Sequence, residues 1–296
     1  MPHVHANGLD IHYTVEGAGP PVVMLHGATS AAVEDWAAQR PLFRKAFRIY
    51  LVDARGHAGT LWDVAGGFTR DMMVDDLLAF ADAMDLETFH VVGFSMGAMT
   101  ALTFATRHPD RLRTAIISGI DTAREPRSRV AKRLMDPERI EREEPEWAAQ
   151  LERRHKHQGA GAWKRLLPAI VHDVETASLL TFDDLRSVRL PVLLVYGDRD
   201  VFVPVDHAAA IYRQLPDARL FIAPNSPHTV MVSQPALFNL AAGNFYRSTE
   251  QVARTRAEMH GRGGRHVPAG EGASEYEPRA VAPGVDMKSS DPFSNW

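Results

Sequence analysis

Phe89-His90-Val91-Val92-Gly93-Phe94-Ser95-Met96-Gly97 runs from a short apolar segment into a helical pattern, with a serine at the junction and a glycine two residues to either side. Phe89–Val92 has the length and composition of a strand buried on both faces, and Met96–Arg107 spaces its apolar residues as a helix does. A strand that turns this sharply into a helix holds its central residue in a strained conformation. The residues two before and two after then come into contact, so both must be small. Gly93 and Gly97 meet that demand. The turn lifts the Ser95 hydroxyl clear of the sheet edge and points the Met96 amide into the start of the helix, the arrangement of an exposed serine nucleophile.

Working outward, the same kind of short, β-branched run recurs at Val22–Leu25, Arg48–Val52, Thr114–Ser118, Val192–Tyr196 and Arg219–Ala223. Helical patterns separate them. Asp71–Leu86 carries Met73, Val74, Leu77 and Ala81 on one stripe, and Val205–Leu215 and Pro235–Arg247 begin with proline at or near the first turn. At the N-terminus, alternating residues flank Asn7-Gly8, a dipeptide suited to the positive φ angles of a tight hairpin. Two hairpin strands plus six buried ones predict an eight-stranded, mostly parallel sheet flanked by helices on both faces.

The alternation stops between Thr122 and Arg189. That stretch is dense in charge, carries Trp147 and Trp163 as isolated large apolar residues, and breaks at Gly159-Ala160-Gly161. Excursions this long are usually functional or disordered, and the helical patterns with tryptophans argue against disorder. Residues 122–189 therefore read as a small helical cap, inserted before the last two strands and lying over the site as a lid. Residues 1–121 and 190–249 form the core. From Glu250 to Trp296, His260-Gly261-Arg262-Gly263-Gly264-Arg265 and scattered prolines bury too little apolar surface to offset chain entropy, so a flexible C-terminal extension is expected.

A serine hydroxyl is a poor nucleophile until a base takes its proton. Of fourteen histidines, His228 stands in Pro224-Asn225-Ser226-Pro227-His228-Thr229, directly after the last strand. Loops at the carboxyl edge of a parallel sheet are where catalytic groups collect, so His228 is the expected base. The carboxylate that fixes its tautomer should come from Gly197-Asp198-Arg199-Asp200, after the strand Val192–Tyr196. Asp200, further out along the loop, is favoured over Asp198, with Asp121 a more distant competitor. The tetrahedral oxyanion needs two donors, and the backbone N–H groups of Met96 and of Ala28, in the loop His26-Gly27-Ala28, are the candidates. His26 is expected to brace that loop and not to act as a second base.

The chain has 296 residues, 45% hydrophobic and 24% charged, enough for one large core with an insertion. A formal charge of −4 gives no reason to expect nucleic acid or an anionic membrane as partner. With no cysteine, disulfides, thiolate metal sites and thiol nucleophiles are ruled out. No signal-peptide pattern opens the sequence and no apolar run approaches a membrane span, so a cytoplasmic protein acting on a small molecule is expected. Neither metal nor cofactor is called for. Nothing in the sequence speaks to oligomeric state.

His26-Gly27, Asp53-Ala54-Arg55-Gly56-His57, Gly93-Phe94-Ser95-Met96-Gly97, Gly197-Asp198-Arg199-Asp200 and the His228 loop occur in the order seen in the α/β-hydrolase superfamily. More narrowly, the chain resembles its small bacterial esterases, carbon–carbon bond hydrolases and cofactor-free haloperoxidases, over about Val4 to Tyr246. The resemblance implies the order nucleophile, acid, base that Ser95, Asp200 and His228 fit. It also implies a cap that forms part of the substrate pocket. Ala58-Gly59 after His57, and Ala98 in place of a second glycine, depart from close relatives without touching the proposed chemistry. A serine nucleophile argues against the dehalogenase and epoxide-hydrolase branches, which use aspartate. The leading expectation is hydrolysis of a small ester, lactone or related carbonyl compound through an acyl-enzyme. The alternatives are carbon–carbon cleavage or perhydrolysis on the same triad, and a non-hydrolytic ligand-binding or biosynthetic role on the same fold.

Overall fold

The computed structural model describes residues 2–262 of the chain. Its eight strands are β1 (His3–Ala6), β2 (Leu9–Glu16), β3 (Pro21–Leu25), β4 (Arg48–Val52), β5 (Phe89–Phe94), β6 (Leu112–Ser118), β7 (Val192–Gly197) and β8 (Ala218–Ala223). They form one sheet in the order β1-β2-β4-β3-β5-β6-β7-β8. Asn7 (φ 48°) and Gly8 (φ 72°) close the β1–β2 hairpin in the left-handed region, as that dipeptide requires. β1 and β2, and β2 and β4, pair antiparallel, and every pairing from β4 through β3 to β8 is parallel.

The strand runs are continuously apolar because each face of the sheet has its own core. Val23, Leu25, Val91, Ile117 and Leu194 pack on one side with the helices Arg70–Ala83, Met96–Arg107 and Val205–Gln214. Their neighbours Val22, Met24, Val92, Ile116 and Leu193 pack on the other with Trp36, Phe43, Phe238 and Tyr246. The alternation is the period of two that a pleated strand imposes. β8 departs from the expected burial on both faces. Arg219 to Ile222 are only half-buried there, because the strand pairs with β7 alone and closes that side of the sheet.

Helix ends follow local chemistry. The Thr69 hydroxyl caps the Arg70–Ala83 helix by accepting from the Met72 amide (3.2 Å). The helix stops three residues short of the expected Leu86, because Asp85 turns left-handed (φ 54°) and the Leu86 amide returns to the Ala81 carbonyl (2.8 Å). The last helix is longer than expected, Pro235–Arg262 in place of Pro235–Arg247. Residues 250–262 therefore continue the helix. The run from Ser248 to Met259 holds no proline or glycine, so nothing stops it there. The remainder of the expected extension, 263–296, lies outside the described residues. Among the described residues, no helix is long and apolar enough to cross a membrane.

Between β6 and β7 lie five helices and no strand: Arg127–Leu134, Pro137–Glu143, Pro145–Arg154, Trp163–Thr176 and Phe182–Ser187. Ile140, Leu151, Trp163, Leu166 and Ile170 make a small core that continues into Phe68 and Met73 of the main body. Leu180, Leu185 and Val188 join the main core instead, so this end of the inserted segment packs as part of the sheet's helical layer. Midway along it, Arg154 donates to the Thr29 carbonyl (2.6 Å), the Ala58 amide donates to His155 Nδ1 (3.1 Å), and Gln158 donates to the Thr60 carbonyl (2.6 Å).

Candidate active site

Ser95 sits at φ 50°, ψ −111°, between β5 and the Met96–Arg107 helix. That strain is held by bonds on both sides: the Ser95 amide donates to the Ser118 carbonyl on β6 (2.8 Å), and its carbonyl accepts from the Met99 amide (2.9 Å). The requirement for small residues is visible in the packing. A Cβ on Gly93 would stand 2.6 Å from the Gly97 carbonyl oxygen, and one on Gly97 would stand 2.6 Å from the carbonyl oxygens of both Leu25 and His26.

The Gly97 amide donates to the His26 carbonyl (3.1 Å), which ties the helix start to the loop after β3. His26 braces that loop from below, with Nδ1 on the Gly27 carbonyl (2.6 Å) and Nε2 accepting from the Ala54 amide (3.0 Å). Asp35 completes the brace, accepting from the Gly27 amide (2.8 Å) and the Ser30 hydroxyl (2.6 Å); burial pushes its carboxyl above the ordinary value. The Ala28 and Met96 amides donate no hydrogen bond among the described residues, and both residues line the cavity that Ser95 lines.

His228 enters the same cavity on the loop after β8. Its Nδ1 donates to Asp200 Oδ2 (2.7 Å), and the Asp200 side chain is fully covered. Asp200 Oδ1 accepts from the amides of Phe202 (2.8 Å) and Val203 (3.1 Å), so the carboxylate is fixed before it meets the imidazole. Phe94 and Phe202 flank the ring at centroid distances of 5.0 and 4.5 Å. Gly119, at φ 71° beyond β6, presses so close that a Cβ there would come within 2.7 Å of His228 Cε1. The opposite ring nitrogen, Nε2, is buried and has no partner among the described residues. No Ser95–His228 hydrogen bond is made in this structure. Such contacts often tighten only when substrate binds.

The two competing aspartates are used elsewhere. Asp198 accepts from the Ser226 amide (3.1 Å), and the Arg199 amide donates to the Ser226 carbonyl (2.9 Å), so this turn anchors the His228 loop without touching the imidazole. Asp121 accepts from His207 Nδ1 (2.7 Å) and from the Ala123 amide (2.9 Å).

The cavity is small, about 50 Å³, room for a few water molecules. Ala131, Met135, Ile170, Asp173 and Val174 of the inserted helices form part of its wall. Sequence reasoning missed three of its charged or contacting groups: Gly119 behind His228, and the buried Arg70 and Arg127. Arg127, Ser128 and Ala131 share one buried helix face, but with an arginine and a serine on it no apolar stripe marks that face in the sequence.

The sequence profile of the alpha/beta hydrolase fold matches residues 20–153. The chain is 29% identical over 242 residues to a protein of Caulobacter sp. strain K31 named for carbamate hydrolysis (RutD), covering 75% of this chain and 89% of that one. It is 27% identical over 274 residues to the 2-hydroxy-6-oxo-6-phenylhexa-2,4-dienoate hydrolase of Comamonas testosteroni, covering 80% and 91%. Among solved structures, Est816, described as an N-acyl homoserine lactone degrading enzyme, superposes with a TM-score of 0.69 at 26% identity, over 82% of this chain and all of that one. The elbow between β5 and its helix, the sheet order, the profile and these relatives agree: the chain has the fold of the α/β-hydrolase superfamily.

Proposed function

We propose that this protein is a serine hydrolase acting on a small ester, lactone or related carbonyl compound through an acyl-enzyme. The observation that carries the reading is the Asp200–His228 pair, whose imidazole lines the same cavity as Ser95 and keeps Nε2 unbonded among the described residues. Ser95 Oγ attacks the carbonyl carbon as His228 Nε2 takes its proton, and Asp200 stabilises the imidazolium. The tetrahedral oxyanion is received by the Ala28 and Met96 amides, each worth ~2.7–4 kcal/mol of transition-state stabilisation. Collapse breaks the bond to the leaving group, which departs with the proton from His228. Water then attacks the acyl carbon, giving a proton to His228, and the acid is released as Ser95 regains its hydrogen.

The inserted helices serve as a lid whose inner wall shapes the acyl pocket. A second reading, carbon–carbon cleavage next to a ketone on the same residues, is favoured by the likeness to the dienoate hydrolase. It differs in the bond that breaks once the carbonyl has been attacked.

The test is labelling with a fluorophosphonate probe, followed by turnover of 4-nitrophenyl esters of increasing acyl length. Wild type is expected to label at Ser95, and Ser95→Ala to lose labelling and at least ~10³-fold in kcat. Residual activity within tenfold of wild type would remove Ser95 from the role.

A further inference from the structure

Arg127 is buried to 8% exposure in the wall of the Ser95 cavity, and its Nε and Nη2 have no hydrogen-bond partner among the described residues. A buried, unpaired charge is among the most costly features a fold can carry, and one on a residue that lines a cavity points to a ligand that completes it. Neither of the two carboxylates that attract it, Asp121 and Asp173, bonds it among the described residues. Asp121 is held by His207 and the Ala123 amide, and Asp173 Oδ1 accepts from the Arg70 amide (2.7 Å). No ion pair to Arg127 forms among the described residues. Arg70, the other guanidinium in the wall, donates Nη1 to the Ser178 carbonyl (2.8 Å). The lining thus holds two guanidinium groups against one carboxylate. Burial, and then repulsion from Arg70, pushes the Arg127 guanidinium down to about 10, which leaves it fully charged at neutral pH.

The geometry of the free donors selects the ligand. Nε–H and one Nη2–H lie side by side along one edge of the guanidinium plane, the two-donor edge that matches both oxygens of a carboxylate. The rest of the cavity lining is mainly apolar. We infer that Arg127 binds a carboxylate carried by the substrate itself, so that the enzyme's preferred substrates are monoanionic acyl compounds in which a free carboxylate lies a few atoms from the carbonyl that Ser95 attacks. This rests on the reading of Ser95 as nucleophile.

The test compares matched 4-nitrophenyl esters: the half-esters of succinate, glutarate and adipate against neutral butyrate, valerate and hexanoate. Wild type should favour one anionic ester over its neutral match by at least tenfold in kcat/KM, the best chain length reporting the reach from Ser95 to Arg127. Arg127→Met should lower that ratio by about 10²-fold, and Arg127→Lys by less, because it keeps the charge and loses the fork. Two outcomes overturn the inference: a ratio in Arg127→Met within twofold of wild type, or no anionic preference in wild type. The Tm separates a binding role from a structural one. Removing an unpaired buried charge should leave Tm at or above that of wild type, whereas a fall of several degrees would show that Arg127 holds the fold together. A second arm is independent of turnover: calorimetry of glutarate binding to Ser95→Ala, with and without Arg127→Met. Glutarate binding that depends on Arg127, in a protein whose Ser95 fails to label, would retain the subsite and remove the nucleophile. Ser95 labelling with no Arg127-dependent binding would do the reverse.

Discussion

Acid should loosen this protein through the imidazoles between the inserted helices and the sheet. His155, at the end of the Pro145–Arg154 helix, accepts the Ala58 amide on Nδ1, and His57, 5.5 Å away in ring centroid, accepts the Thr29 amide on Nε2 (3.2 Å). A backbone N–H can only donate, so a nitrogen that accepts from it must give up that bond on protonation. Burial, with repulsion from Arg154 and His26, holds His155 down to about 4, and burial with repulsion from His26 and His155 holds His57 well below the ordinary value. The unfolded chain binds its proton near 6.5, the folded one near 4, so between these values the unfolded state carries more protons and stability falls as the pH is lowered. His155 thus contributes its full share above about pH 6.5 and loses it progressively down to about pH 4. At pH 5 the loss is ~2 kcal/mol, and ~3 kcal/mol once both states are protonated. His90, held at about 3 by burial, adds a similar loss at pH 5. These are large fractions of an ordinary folding stability of ~5–15 kcal/mol. His155→Gln keeps an acceptor for the Ala58 amide and cannot titrate. Urea unfolding at pH 7.5 and 5.0, followed by tryptophan fluorescence and circular dichroism, should show a pH-dependent loss in the variant smaller than in wild type by ~2 kcal/mol. Equal losses within ~0.5 kcal/mol would refute the reasoning.

Two further substitutions test the positioning of the base. Asp200→Asn can still accept from the Phe202 and Val203 amides but turns an N–H towards His228 Nδ1, which selects the wrong tautomer; kcat should fall by ~10⁴, while Asp198→Asn, which still accepts from Ser226, should stay within about tenfold. The reverse ranking, read from steady-state kinetics, would move the acid to Asp198. Gly119→Ala drives a methyl into the His228 ring from a left-handed residue; it should cost ~1–2 kcal/mol in stability and ~10²-fold in kcat/KM. Normal kinetics in that variant would mean the imidazole position is not set from β6.

The features legible in the sequence were those whose cause is local. The elbow could be read because two glycines and a serine answer a steric demand that spans five residues, and the packing of Gly93 on Gly97 is that demand met. His228 could be read because strand order alone places its loop at the carboxyl edge. The choice between Asp198 and Asp200 was harder, since both stand in one turn. It is decided by which carboxylate meets the imidazole and which meets the Ser226 amide, a distinction made by the folded loop after β8. The antiparallel docking of β2 on β4 in place of β3 was equally hidden, because the pairing depends on contacts between distant segments. Arg127 shows where local rules fail in an informative way. It stands among Arg124, Glu125 and Arg129, a run that composition assigns to a solvated surface, yet its side chain is buried in the wall of the Ser95 cavity, with Nε and Nη2 unpartnered among the described residues. Natural chains tend to break such local consistency at functional sites. The residue whose placement contradicts its surroundings is therefore the one that says most about what the cavity was shaped to receive.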